Sequence, residues 1–136
     1  MRTLALLAST ALALAPALNC EAQSFNGSKP FLCAMTDVSQ CAQDESCTRA
    51  SVTAANIPQF VSVDVQQGLV TATDESGSVR TSKIGRVEHP PQLLRLSGGD
   101  GDAGWIAAID EASGKLTLAV VGDQVGFVIF GACIVK

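Results

Sequence analysis

The chain has 136 residues, five cysteines, a formal net charge of −4, and 47% hydrophobic against 16% charged residues. That length supports one domain with a real core. Its nine Lys and Arg residues are scattered, there is no Tyr and only one Trp, so the basic stripe and stacking aromatics of a nucleic-acid binder are missing. An anionic membrane surface is a poor partner for the same reason.

Residues 1–22 read as a secretory signal peptide. Arg2 supplies the charged start, Leu4 to Leu14 the apolar run, and Cys20 and Ala22 the small residues ahead of Gln23. The run is shorter than the roughly 20 apolar residues of a membrane span. Cleavage is expected after Ala22, with Ala17 as second choice; lipidation of Cys20 would need a small residue where Asn19 stands. Residues 23–136 are then a single disulfide-stabilised β domain, periplasmic or extracellular, and no membrane span remains.

Along the mature chain, Gln23 to Pro30 reads as a loose polar leader and Phe31 to Thr36 as a short strand. Asp37-Val38-Ser39-Gln40 has the spacing of a helix N-cap with Gln at N3, so one helical turn is expected through Gln43. Cys47 to Thr53 resumes a strand pattern, and Pro58 stops any helix begun at Ala54-Ala55-Asn56. From Gln59 onward, runs of β-formers alternate with turns. Val61, Val63 and Val65 show the period of a half-buried strand, and Leu69 to Thr73 follows Gly68. Val79 to Arg86 is polar and edge-like, and His89-Pro90-Pro91 is a rigid corner. Gln92 to Ser97, Trp105 to Asp110, Lys115 to Val121 and Val125 to Val135 are the remaining strands, with Gly98 to Gly104 a flexible loop.

Turn signals at this spacing, with no long helical period, predict an all-β fold. The short connections favour an antiparallel meander of about eight strands, and a small up-and-down barrel is preferred over a sandwich. Hairpin turns are expected near Gly68, Gly77, Gly101, Gly114 and Gly122.

Four cysteines remain after cleavage and allow three pairings. Barrel closure brings the first and last strands together, so Cys33 is expected to pair with Cys133 and Cys41 with Cys47. No Cys-x-x-Cys occurs, so metal and redox uses of these thiols are weak. The last strand is apolar on both alternating faces. Either the segment around Phe25 and Phe31, or the short helical turn, covers its outer side, or Val128, Phe130 and Ile134 form a partner surface for another protein or a second copy; monomer and homodimer both fit.

Residues with chemistry are few. His89 is the only histidine and precedes two prolines, without a Gly-x-Ser-x-Gly elbow. The acid pairs Asp44/Glu45, Asp74/Glu75 and Asp110/Glu111 sit in turn clusters, where carboxylates serve local hydrogen bonding. Asp100 and Asp102 in a Gly-rich loop suggest calcium, but the loop is a single copy with its Asp one place off the β-helix repeat. Trp105 after that loop reads as core before ligand platform. No cofactor is expected.

Pro58-Gln59-Phe60-Val61-Ser62-Val63-Asp64, Gly104-Trp105, Ile109 to Leu116 and Phe127 to Cys133 carry a resemblance over most of the mature chain. It resembles a group of small exported bacterial β-domain proteins with no assigned activity, which implies a periplasmic location and no chemistry. The architecture is also similar to the periplasmic inhibitors of c-type lysozyme, small eight-stranded barrels with a disulfide. Their Ser-Gly-x-x-Tyr and Trp-x-Lys-Gly motifs are absent, Trp105 being followed by Ile106 and Ala107. The expected function is a non-catalytic interaction or inhibitor-like module. A lipocalin-like carrier of a small apolar ligand is the alternative, and an enzyme comes third. Leu116, Leu118, Phe127 and Ile129 predict a filled barrel interior.

Overall fold

The structure, a computed structural model, describes residues 23–136 apart from Glu75 and the side chain of Asp100. The predicted signal peptide lies outside the described residues. Among the described residues nine strands form one antiparallel sheet: β1 (Phe31–Ala42), β2 (Thr48–Ala50), β3 (Phe60–Asp64), β4 (Leu69–Thr73), β5 (Val79–Glu88), β6 (Leu93–Asp100), β7 (Ala103–Asp110), β8 (Lys115–Val121) and β9 (Val125–Val135). From β3 to β9 each strand pairs with the next, and β9 pairs back onto β1. The fold is an eight-stranded closed barrel plus the short β2, as the turn spacing predicts. The expected turns at Gly68, Gly77, Gly101, Gly114 and Gly122 all fall between consecutive strands.

The helical turn expected after Asp37 does not form, and β1 continues to Ala42. Its second half makes a ladder with β9, Val38 facing Ile129 and Gln40 facing Phe127, and buries Val38 completely enough to outweigh a local cap. A bulge between Met35 and Asp37 makes this continuation possible. It switches the inward set from Phe31, Cys33 and Met35 to Val38, turning Asp37 outward. Opposite the bulge, Gly131 has no side chain to collide with the Ala34 carbonyl. On its other edge β1 pairs first with β3 and then, beyond the bulge, with β2.

Residues 51–58, between β2 and β3, make one closed turn. Ser51 Oγ accepts from the Ala54 N–H, and Asn56 takes a left-handed conformation at the far end. There the Asn56 and Ile57 N–H groups donate to Thr53 and Val52 carbonyls. Pro58 then stops it, as expected. Val52, Ala55 and Ile57 pack onto the core from this turn.

Two further expectations are corrected by the ladder. The Gly98–Gly104 loop shrinks to Gly101-Asp102, because Gly98 and Gly99 belong to β6 and pair with Trp105 and Gly104. A Cβ on Gly98 would run into the Trp105 ring, so glycine there serves close packing. Nor is β5 an edge strand; it pairs with both β4 and β6.

The N-terminal segment is an ordered strap across one end of the barrel, not a loose leader. The Phe25 N–H donates to the Glu111 carbonyl at 3.0 Å, and Gln66 Nε2 donates to the Gly27 carbonyl at 3.3 Å. The Phe25 ring is 3% exposed and stands edge-on to Phe31, centroids 6.1 Å apart. It occupies the space that a side chain on Gly114 would need. The strap therefore seals the barrel end and leaves the outer side of β9 uncovered.

Cys33 bonds to Cys133 and Cys41 to Cys47. The Cα separations, 3.9 and 4.2 Å, fall short of the common 4.4–6.8 Å. For Cys33–Cys133 the cause is direct opposition across the ladder. The Cys133 N–H donates away from β1, to the Gly114 carbonyl, so the two cysteines form one of the narrow, non-hydrogen-bonded pairs. Two disulfides fit an oxidising compartment.

Candidate binding site

Residues facing each other across an antiparallel ladder share a face, so the register identifies what points inward. Cys33 faces Val61, Val61 faces Ala72, and Ala72 faces Arg80. One row deeper, Val63 faces Val70 and Val70 faces Ser82. On the opposite wall Trp105 faces Val120, and Ala107 faces Leu118. Large side chains fill the strap end, where Phe31, Leu94, Leu96 and Ile109 are at most 1% exposed. Towards the other end the inward positions are small: Ala72, Ser82, Gly98 and Ala107.

An eight-stranded barrel is just wide enough to be filled by its own side chains or to hold one small ligand. Here the small positions leave a cavity of about 180 Å³, walled chiefly by Met35, Val61, Ala72, Trp105, Leu118 and Val120. Leu116 and Ile129 are buried in the core as expected, with Leu118 and Phe127 packed against it, but Leu116 and Leu118 also line the wall of this remaining space. The hollow arises because inward positions on β4, β5 and β7, namely Ala72, Ser82 and Ala107, are all small and line the same space.

Polar groups at the cavity come chiefly from β5. Trp105 Nε1 donates to Ser82 Oγ at 2.9 Å, which satisfies the indole and leaves the serine its own proton to offer. Trp105 is thus half-buried core on the inward face, and it also walls the cavity. Arg80 sits one row above Ser82 and lines the cavity as well as a neighbouring surface groove of about 450 Å³. That groove runs between the 51–58 turn and the β4–β5 turn, past Asn56, Gln59, Phe60, Asp74 and Ser76.

Asp74 belongs to its own turn. Its Oδ1 accepts from the Ser76 N–H at 2.9 Å, Ser76 Oγ at 2.6 Å and the Ser78 N–H at 2.9 Å. These bonds, the Ser76 hydroxyl foremost, hold its carboxyl below the usual carboxylate range. Asp110 repeats the device: Ser113 donates to it through Oγ and N–H, both at 2.7 Å, and lowers its pKa. The acids of these turns are thus local locks. Glu111 Oε1 lies 3.5 Å from His89 Nδ1, near the strap.

The other sequence candidates separate. Asp102 is exposed in a two-residue hairpin loop, and the Asp100 side chain lies outside the described residues. Among the described residues no three His, Cys, Asp or Glu side chains gather around one point. No helix among them is long and apolar enough to cross a membrane. Val128, Phe130 and Ile134 project from the outer face of β9 at 37%, 47% and 60% exposure. Register brings Phe60 to the same stripe through Ala34 and Ala132, and Ile106 through Ala119 and Val128.

Sequence reasoning missed Arg80, Ser82 and Ala72. The signal that could have found them is the alternation in β5, where Arg80, Ser82 and Ile84 are one set; only pairing with β4 turns that set inward.

The fold and the site define a class: a small disulfide-closed β-barrel with an apolar hollow and one arginine at its rim. Comparison with family models, with curated proteins and with solved structures finds no match. The functional reading rests on the geometry of the chain alone.

Proposed function

We propose that this is an exported, non-catalytic binding protein that takes one small apolar molecule into the barrel. The observation carrying this reading is the cavity of about 180 Å³ with an almost wholly apolar wall. An engineered protein cavity of about 150 Å³ stays dry and binds benzene, so this volume suits one aromatic ring or a short alkyl chain. Export through removal of residues 1–22 to a periplasmic or extracellular site agrees with both disulfides. A small neutral ligand such as toluene or 1-hexanol should raise the melting temperature, since only native-state binding stabilises. Ala107→Leu fills the cavity from β7 and should remove that rise while the protein stays folded. A wild-type protein unmoved by any such ligand defeats the reading.

A second reading is the interaction module, carried by the outer stripe of Val128, Phe130 and Ile134. The stripe is flanked by Asp37 on β1 and Lys115 on β8. A two-fold axis along β9 sets Asp37 of one copy over β8 of the other, so a second copy is the occupant this charge layout favours. Sedimentation should then show a dimer for the wild type and a monomer for Phe130→Ser. A wild-type monomer at high micromolar concentration leaves the stripe to a different partner and rejects the dimer.

A further inference from the structure

The cavity explains where an apolar group goes, but not why an arginine stands at its rim. Arg80 faces Ala72 on the inward side of the β4–β5 ladder, in the row of Val61 and Cys33. An inward position in a barrel of this size is usually apolar. Among the described residues no carboxylate lies within ion-pair distance of Arg80; Glu88 pairs with Arg86 and Arg95, and Glu111 with His89. Asp74, the acid sharing its groove, is hydrogen-bonded by three donors of its own turn; the Arg80 charge helps lower its pKa through space, without an ion pair between them. Arg80 is solvent-exposed, so its guanidinium donors face water and remain open to a ligand, beside an apolar hollow.

We propose that the site binds a short amphipathic carboxylic acid, with the carboxylate on Arg80 and the alkyl or aryl tail in the cavity. The inference rests on the reading of the cavity as a binding site and names its ligand class. Arginine presents a planar fork of donors matched to a carboxylate, and such pairs are stronger than neutral hydrogen bonds. Ser82, one row deeper, offers a hydroxyl proton to the second carboxylate oxygen or to a bound water. The cavity volume limits the tail to about the size of a benzene ring or a short alkyl chain. A long-chain fatty acid does not fit that space. The polar side chains of Asn56 and Gln59 along the groove suit the wet end of such a ligand.

The test compares hexanoate with 1-hexanol, matched in chain length, by calorimetric titration of the wild type and of Arg80→Gln. The wild type should bind hexanoate about tenfold more tightly than hexanol, the modest preference expected of a half-solvated ion pair. Arg80→Gln should lose that preference, binding hexanoate no more tightly than hexanol, and its continued binding of hexanol reports that the cavity is intact. Salt supplies a check on the unmutated protein. Raising it from about 0.05 M to about 0.5 M should weaken hexanoate and leave hexanol unchanged. Equal binding of the two ligands by the wild type, or a preference that survives Arg80→Gln, overturns the role of Arg80 and leaves the cavity reading standing. Failure of both ligands to bind the wild type overturns both.

Discussion

Asp110 shows how much one carboxylate does in a chain with so few charges. It ends β7, and its Oδ1 collects both the hydroxyl and the N–H of Ser113, while its carbonyl accepts from the Gly114 N–H. Gly114 then enters the left-handed region at φ 70°, where a side chain would be strained and would also strike Phe25. These bonds favour the charged carboxyl, so its folded pKa lies below the unfolded one. Its contribution is therefore fully present above the ordinary carboxylate value of about 4 and is lost as pH falls through the lowered folded value. Asp110→Asn keeps an acceptor oxygen but no charge. The melting-temperature gap between wild type and Asp110→Asn should be constant near neutrality and close as pH drops below the ordinary carboxylate value of about 4. A gap that widens on acidification contradicts this. Asp74 has the same arrangement in the β4–β5 turn, which explains why acids recur in these turns without converging on any reaction centre.

Among the elements, β1 and the strap before it carry the most structure per residue. β1 serves as partner to β2, β3 and β9 at once, which a twelve-residue strand manages only because the bulge near Thr36 re-aims its second half. Sequence patterning reads the bulge as a break, since Asp37 and Gln40 mimic a cap. The pairing that overrides it lies about ninety residues away. The strap was equally opaque: Gln23 to Pro30 is polar apart from Phe25, and the aromatic that matters has no local period. In the fold that ring plugs the barrel end, and the Phe25 backbone N–H donates to the Glu111 carbonyl. Phe25→Ala should cost about 3–5 kcal/mol, the usual range for a buried phenylalanine, read as a lowered urea midpoint. A loss under about 1 kcal/mol would mean that the strap is dispensable to the barrel.

For the whole molecule, closure is the governing fact. The bridge between Cys33 and Cys133 spans a sequence separation of 100 and ties the first barrel strand to the last, whereas Cys41–Cys47 spans 6. On the loop-entropy account the long bridge is worth about 4–5 kcal/mol and the short one about 2 kcal/mol. The Cys33→Ser/Cys133→Ser double variant should therefore melt well below the Cys41→Ser/Cys47→Ser one. Equal melting temperatures would show that the ladder between β1 and β9 closes the barrel without help from the bridge.

The all-β class, the antiparallel meander and its turns were legible in the sequence because period-two alternation and Gly- or Asp-rich turns are local signals. The cysteine pairing followed from closure, since a meander that closes must place its ends side by side. Which of the two apolar sets on β9 faces the core was legible as well, since Cys133 shares its parity with Phe127 and Ile129; tertiary structure alone decided that the other set stays uncovered, because the strap packs at the barrel end. It alone also decided that Arg80 faces inward, that Gly98 admits the Trp105 ring, and that Ala72, Ser82 and Ala107 line one cavity. A cavity is the volume left where side chains from several strands fall short together, and no single stretch of sequence contains it.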